Sequence, residues 1–573
     1  MRWSRVLAAT ALGALAAGCG GGGGGEAQKA GGAPVHGKRG GKLTVLWTDD
    51  VDNIDCGITY YQMGVFICSA TQKALYGYKP TDGAHMVPDL AESAPEVSPD
   101  GKTVTVKIKK GVRFSPPVNR AVTSKDVKYA IERGFFTTVA NGYAGAYFGD
   151  LKGARQGVKP GTKIPGITTP DAHTIVFHLT KPTGGVLASG ALGMDLTAPV
   201  PEEYARRYDA RNPSGYGQHQ VATGPYMLER YQPGVTIDLV RNPNWNPKLD
   251  FRPAYLDEID MPQGNDDTTV ASRKILGGKA MMSGDWSPPP EIMRQVASRQ
   301  RSQLALVPGA SIRYVALNTT IKPFDDEDVR KAISAAFDRN AMRLARGGAL
   351  IGDIPTHIIP PGIPGFEQAG GLKGPGEDFL NATGQPNMQL AADYMRKAGY
   401  PSGRYTGGGT FLMIGTSQGV AQKDAELAKQ NFEKLGFNVI LRLVAQDTMY
   451  TKYCNVPAAK VAICPNVSWG KDFSDGQTIL DPTFNGENIL PEGNSNWSQL
   501  NDPMINRALD KAKTLTNLAA RAQAWGTIDT MITAKAATIP WLWDKQPLIE
   551  SSDVDGAVSL YNSEWDLSFT SLR

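Results

Sequence analysis

The stretch Ala91–Arg133, AESAPEVSPDGKTVTVKIKKGVRFSPPVNRAVTSKDVKYAIER, decides the fold class. Between Lys102 and Val112, Val104, Val106 and Ile108 alternate with Thr103, Thr105, Lys107 and Lys109, the two-residue period of a half-buried strand. Asp100-Gly101 in front of it is a turn dipeptide, because glycine tolerates positive φ and aspartate bonds its own backbone. Thr123 and Asp126 stand three apart, the spacing at which a helix cap and the third helical residue exchange backbone bonds. Behind them Val127, Ala130, Ile131, Gly134 and Phe135 form one apolar helical stripe. Strand, turn, strand and capped helix within one segment indicate a mixed α/β protein.

Outward from that segment the same grammar continues. Gly41–Trp47 reads as a strand and Tyr60–Lys79 as a helix. Thr169–Thr180 is a turn followed by a strand on which Ile175, Phe177 and Leu179 alternate. His173 and His178 on it lie on opposite faces, so they are surface histidines and not a metal pair. Val221–Trp245 reads as turn, strand, a Pro233-Gly234 turn and strand. Asp257–Asp267 has the texture of a polar linker, and Thr268–Gly278 that of a helix. Tyr314–Asn318 is a strand, and Asp325–Met342 a helix whose first acids serve as caps rather than metal ligands. Gln389–Gly399 is a helix closed by its glycine. Thr410–Ile414, Val420–Leu435 and Phe437–Val444 make a βαβ unit, which requires parallel pairing and a right-handed crossover.

At 573 residues the chain is too long for one core, so two or three domains are expected. Hydrophobic residues make up 41% and charged residues 20%. A net charge of +4, or +2 without Arg2 and Arg5, gives no basis for nucleic-acid binding. Arg2 and Arg5, the apolar run Val6–Ala17 and Gly18-Cys19 read as a secretory signal too short to span a bilayer. Ala16-Ala17-Gly18-Cys19 resembles a bacterial lipobox, which makes residues 1–18 a signal peptide and Cys19 the lipidated residue. Residues 19–40, rich in glycine, then form a tether outside the cell membrane. The four other cysteines allow three pairings; Cys56–Cys68 and Cys454–Cys464 are expected, since each closes a short local loop.

Gly415-Thr416-Ser417-Gln418-Gly419 matches the GxSxG of a nucleophile elbow between strand and helix. All six histidines precede Ser417, so the downstream base of an α/β-hydrolase is missing. A secreted hydrolase is the disfavoured alternative, and no catalytic residue, metal or cofactor is assigned.

Several of these stretches carry a resemblance to the extracellular solute-binding proteins of family 5, the peptide- and nickel-binding subunits of ABC importers. The opening segment is similar to the family signature, with Pro95-Glu96 where a tryptophan is usual and Ser115-Pro116-Pro117 for the usual Asp-Gly. Thr223-Gly224-Pro225-Tyr226 with Arg241-Asn242-Pro243, and Asn318-Thr319 through Asp338-Arg339, are two further matches. Trp469-Gly470-Lys471-Asp472-Phe473-Ser474-Asp475 resembles the family's "W..DY.DP", with Phe473 for tyrosine and no final proline. Asn494–Pro503 resembles a fifth segment, containing Trp497.

The resemblance implies a two-lobe periplasmic-binding-protein-like type II fold of the large three-subdomain variety. Lobe I is expected at 41–267 with a subdomain at about 85–185, lobe II at 268–524, and a return to lobe I at 525–573. It further implies capture of di- or oligopeptides, with Asp472 meeting the peptide's ammonium and Trp469, Phe473 and Trp497 flanking the ligand. Partners would be the permease subunits, with the protein a lipid-anchored monomer. A nickel complex or an oligosaccharide is the alternative ligand on the same fold.

Overall fold

A computed structural model describes residues 37–59, 62–417, 419–491 and 494–573, together with the short strand Lys29–Ala30. The proposed signal peptide and Cys19 lie outside the described residues.

The expected segment forms as read. Thr103–Lys107 is the second strand of an antiparallel four-stranded sheet ordered Glu96–Val97, Thr103–Lys107, Thr174–His178, Ile167–Asp171. Val104 and Val106 pair with Phe177 and Ile175, and all four are buried. The helix Ser124–Gly134 covers them; the Asp126 carboxylate accepts the Thr123 backbone N–H at 2.8 Å. Each side of that core is therefore written in the sequence as an alternating or a helical stripe.

A five-stranded sheet runs Met281–Ser283, Lys42–Leu46, Glu258–Pro262, Thr236–Arg241, Tyr226–Gln232. Lys42–Leu46 is parallel to both neighbours and the remaining pairs are antiparallel. A larger sheet is ordered Gly352–Asp353, Thr538–Ile549, Leu304–Leu317, Ile463–Gly470, Phe411–Thr416, Val439–Val444, with Lys29–Ala30 added beside Leu304–Leu317. Phe411–Thr416 and Val439–Val444 are parallel, joined by the helix Gly419–Lys434, so the βαβ expectation holds.

Two long antiparallel strands, Leu304–Leu317 and Thr538–Ile549, tie the cores together. Their ends near Ala305, Val307 and Leu548 are buried with Leu43, Ile237 and Ile259 of the five-stranded sheet. Their other ends straddle the large sheet. Val315, Leu317 and Ile539 face one core, whereas Ile312, Tyr314 and Trp543 face the other.

Three local expectations change. The helix read over Tyr60–Lys79 ends at Thr71, and Tyr76–Lys79 is a strand paired with Asp82–Pro88, Tyr76 and Tyr78 alternating into the core. The "linker" Asp257–Asp267 contains the strand Glu258–Pro262, whose Ile259 and Met261 alternate behind acids that mask them. The helix read over Asp325–Met342 is two helices, Glu327–Ala336 and Arg339–Arg346, because Phe337 turns extended and Asp338 caps a fresh start. Met281–Ser283 lies beside Lys42–Leu46, and Ala271, Ile275 and Val296 pack with Leu46.

Both expected disulfides are present, Cys56–Cys68 and Cys454–Cys464. No helix among the described residues is long and apolar enough to cross a membrane.

Candidate functional site

A cavity of about 350 Å³ opens where the two long strands pass between the cores. That volume lies within the range of small-ligand sites. Its walls include the helix end near the Cys56–Cys68 bridge, the strand residues Tyr76–Tyr78, the turn Gly193–Leu196, Phe251 and Arg252, the strand segment Gly309–Ser311, Ser468 with Gly470–Asp472, and the segment Ser559–Asp566.

Local geometry explains why these segments face inward. Pairing between the two long strands is interrupted from Pro308 to Ile312, and Ala310 has φ 48°, so the backbone bulges at the cavity wall. A Cβ on Gly309 would stand 2.9 Å from the Asp544 carbonyl oxygen, which requires glycine there. On the other side Gly470 pairs with Ser311 at the end of the strand Ile463–Gly470, and the chain then releases Lys471 and Asp472 into the cavity.

Asp472 accepts a hydrogen bond from the Tyr147 phenol, while the Tyr561 phenol donates to the Asp472 backbone carbonyl at 2.8 Å. No lysine or arginine pairs with its carboxylate among the described residues. Burial pushes the Asp472 carboxyl up to about 7, against the Tyr147 bond, which pulls it down. Next to it Lys471 donates to Ser474 Oγ at 3.2 Å and lies 4.9 Å from the centre of the Tyr561 ring. Burial pushes this ammonium down to about 7. Tyr561 itself stacks on Tyr78 at 3.8 Å. Arg252, also on the wall, is consumed by Asp89 and Asp250, which Lys73 shares.

Of the four residues expected to touch ligand, only Asp472 lines the cavity. Phe473 is fully buried in the core of the four-stranded sheet, edge-on to Tyr147 at 4.9 Å. It carries the chain of the large sheet into the opposite core, and its role there is packing. Trp469 donates its indole N–H to the Thr478 carbonyl at 2.8 Å and packs on the large-sheet core. Trp497 is 7% exposed and packs edge-on to Tyr450. Both tryptophans sit where alternation or loop packing turns them inward, which spacing in a motif does not reveal. Conversely, Lys471 stood inside a quoted motif without a role, and Asp195, Tyr561 and Glu564 were not singled out. The loop Ser559–Glu564 has no periodicity that marks it.

Ser417 is exposed, and its backbone N–H is spent on the Val444 carbonyl. Both ring nitrogens of the buried His357 are engaged, by Asp529 and by the Gly371 carbonyl, so it offers no free base. Among the described residues no three His, Cys, Asp or Glu side chains come together as a metal site.

Comparison with known proteins agrees with this architecture. Residues 85–490 match the model of the bacterial extracellular solute-binding proteins, family 5 Middle. The chain is 25% identical to heme-binding protein A of Haemophilus influenzae, over 79% of this chain and 78% of that protein. It is 27% identical to di/tripeptide-binding protein 3 of Pseudomonas aeruginosa over 45% of this chain, spanning 48% of that relative's length. The solved structure of clavulanic acid biosynthesis oligopeptide binding protein 2 superposes with a TM-score of 0.83 at 26% identity, covering 94% of this chain and 97% of that one.

Proposed function

The chain belongs to the bacterial extracellular solute-binding proteins of family 5, and from that premise we propose that it captures short peptides outside the cell membrane and hands them to the permease of an ABC importer. The observation that carries the peptide reading is the Asp472 carboxylate, facing the cavity with the Tyr147 phenol as its only side-chain partner among the described residues. An ionised carboxylate kept from water is costly without a counter-charge, and a peptide's terminal ammonium supplies one. Lys471 is placed to do the same for a ligand carboxylate. The family's members named here bind solutes, and this geometry calls for no bond to be broken. Ligand-driven closure of two lobes hinged at the long strands would present the occupied form to the permease. The proposed lobes are residues 41–303 with 550–573, and 304–549. Cys19 is proposed as the lipid anchor and the protein as a monomer.

Calorimetry with Ala-Leu and N-acetyl-Ala-Leu on the wild type and on Asp472→Asn tests the reading. Losing one partner of a buried charge pair costs about 2–5 kcal/mol, so the variant should bind Ala-Leu at least about thirtyfold more weakly. The acetylated peptide should bind the wild type poorly. Equal affinity for free and acetylated peptide would remove Asp472 from the site.

A further inference from the structure

The Asp472 carboxylate has two oxygens, and the fold spends one of them. Oδ2 accepts the Tyr147 phenol, while no hydrogen bond or ion pair reaches Oδ1 among the described residues. Both partners of that bond are fixed. Tyr147 stands in the helix Gly142–Phe148, whose cap Asn141 accepts the Tyr143 and Ala144 N–H groups at 2.8 and 2.9 Å. The buried Asn141 also donates to the Gly57 carbonyl at 2.9 Å, which ties the helix to the wall near the Cys56–Cys68 bridge. The Tyr147 ring is itself buried, stacked on Tyr143 at 6.4 Å and edge-on to Phe473 at 4.9 Å. On the other side the Tyr561 phenol holds the Asp472 carbonyl, and Ser474 donates to the Gly83 carbonyl.

This geometry favours one kind of cation over another. An ammonium is a compact charge that a single carboxylate oxygen can serve, whereas a guanidinium is a planar fork that pairs best with two parallel oxygens. With Oδ2 occupied, Asp472 offers the first a full partner and the second only half of one. The phenol has a further effect. A donor to the ionised carboxylate favours that form, and the Tyr147 bond opposes the burial that raises the Asp472 carboxyl to about 7. The other titratable groups facing this space are the Tyr143 and Tyr561 phenols, the Lys471 ammonium and Asp195, whose field reaches Tyr561 together with that of Asp472. Asp475 is paired with Arg521 at 2.8 Å.

We propose that Tyr147 is a positioning residue of this cavity: by occupying Oδ2 of Asp472 it leaves one oxygen to the ligand, so that the subsite takes the primary ammonium of a peptide's amino terminus and rejects a guanidinium. This rests on the peptide reading given above and specifies the cation selected within it.

The test uses glycyl-leucinamide and guanidinoacetyl-leucinamide, which differ only in ammonium against guanidinium and bring no carboxylate to Lys471. Calorimetry at pH 7, below the ordinary range of a terminal amine, compares them on the wild type and on Tyr147→Phe, which keeps the ring against Phe473. The wild type should bind the ammonium on the order of tenfold or more tightly, the effect of one hydrogen bond to a charged group. In the variant that ratio should fall towards one, because Oδ2 is free for the second bond of the fork. Carbon-13 NMR of aspartate-labelled protein, with the Asp472 signal identified by its loss in Asp472→Asn, follows the carboxyl itself. Its midpoint should rise by about one to two pH units in Tyr147→Phe. A purely packing role for Tyr147 would weaken both ligands alike. An unchanged ratio or an unchanged midpoint in the variant therefore overturns the positioning role and leaves the peptide reading standing. Equal wild-type affinity for the two amides overturns the selection even if the variant does not fold. Binding of neither amide to the wild type overturns the peptide reading and the subsite together.

Discussion

Gly190 and Phe473 offer a way to push the two halves of the site apart at a contact outside the cavity lining. Gly190 follows the helix Gly184–Ser189 with φ −179°, an extended backbone that any residue adopts. A Cβ there would stand 2.1 Å from Phe473 Cδ2, so Gly190→Ala cannot coexist with the ring where it is. Phe473 is fully buried and is anchored in the chain of the large sheet, whereas Gly190 belongs beside the four-stranded sheet. Expelling the ring forfeits roughly the burial of one phenylalanine, about 1.5–3 kcal/mol. That cost falls on the form in which the two meet, and at 1.4 kcal/mol per decade it lowers ligand affinity about ten- to a hundredfold. Calorimetry with Ala-Arg measures the affinity, and small-angle X-ray scattering of the unliganded and liganded variant follows the overall dimensions. The variant should need more ligand to reach the compact form, with an unliganded melting temperature close to wild type. Unchanged affinity would show that the Phe473 contact is not conditional on closure. A large loss of stability without ligand would show that Phe473 belongs to a permanent core.

Two further outcomes are expected. Asp195 and Asp472 are raised to about 7 and Glu564 to about 8. Below these values a bound cation must first displace a proton, so affinity for agmatine, a non-peptide dication, should rise from pH 6 to pH 8 by about tenfold for a linked group titrating near 7 and about fiftyfold for one near 8, with proton release on binding; a flat profile refutes the linkage. Agmatine offers no carboxylate to Lys471, whose own titration near 7 would otherwise blur the result. Cys19→Ala should leave the protein out of the membrane fraction or unprocessed, and normal processing with membrane retention would reject the anchor.

Legibility followed periodicity. The alternation of Val104, Val106 and Ile108 and the Thr123–Asp126 cap gave strand and helix because burial and capping act on neighbours within a turn. The strand Glu258–Pro262 escaped notice because acids at 257, 258 and 260 outweighed its two buried residues. The motif around Asp472 led to a residue that lines the cavity. Trp469 and Trp497 were misplaced because a motif fixes sequence position and not the face to which an aromatic ring turns. Tyr147, which holds the Asp472 carboxylate, lies 325 residues away in sequence, and such a juxtaposition is made only by the fold.

The core beneath the five-stranded sheet holds Leu43 and Val45 together with Val554, Val558, Trp565 and Leu567. Its first strand is thus sealed by residues far later in the chain. Until Leu567 has emerged, that sheet has an uncovered apolar face, and Tyr561 and Glu564 have not arrived to complete the cavity. Contacts of such long range form late. A chain cut before Val554 lacks both the residues that seal this sheet and those that complete the cavity wall, so folding of the first strand and formation of the site are one event.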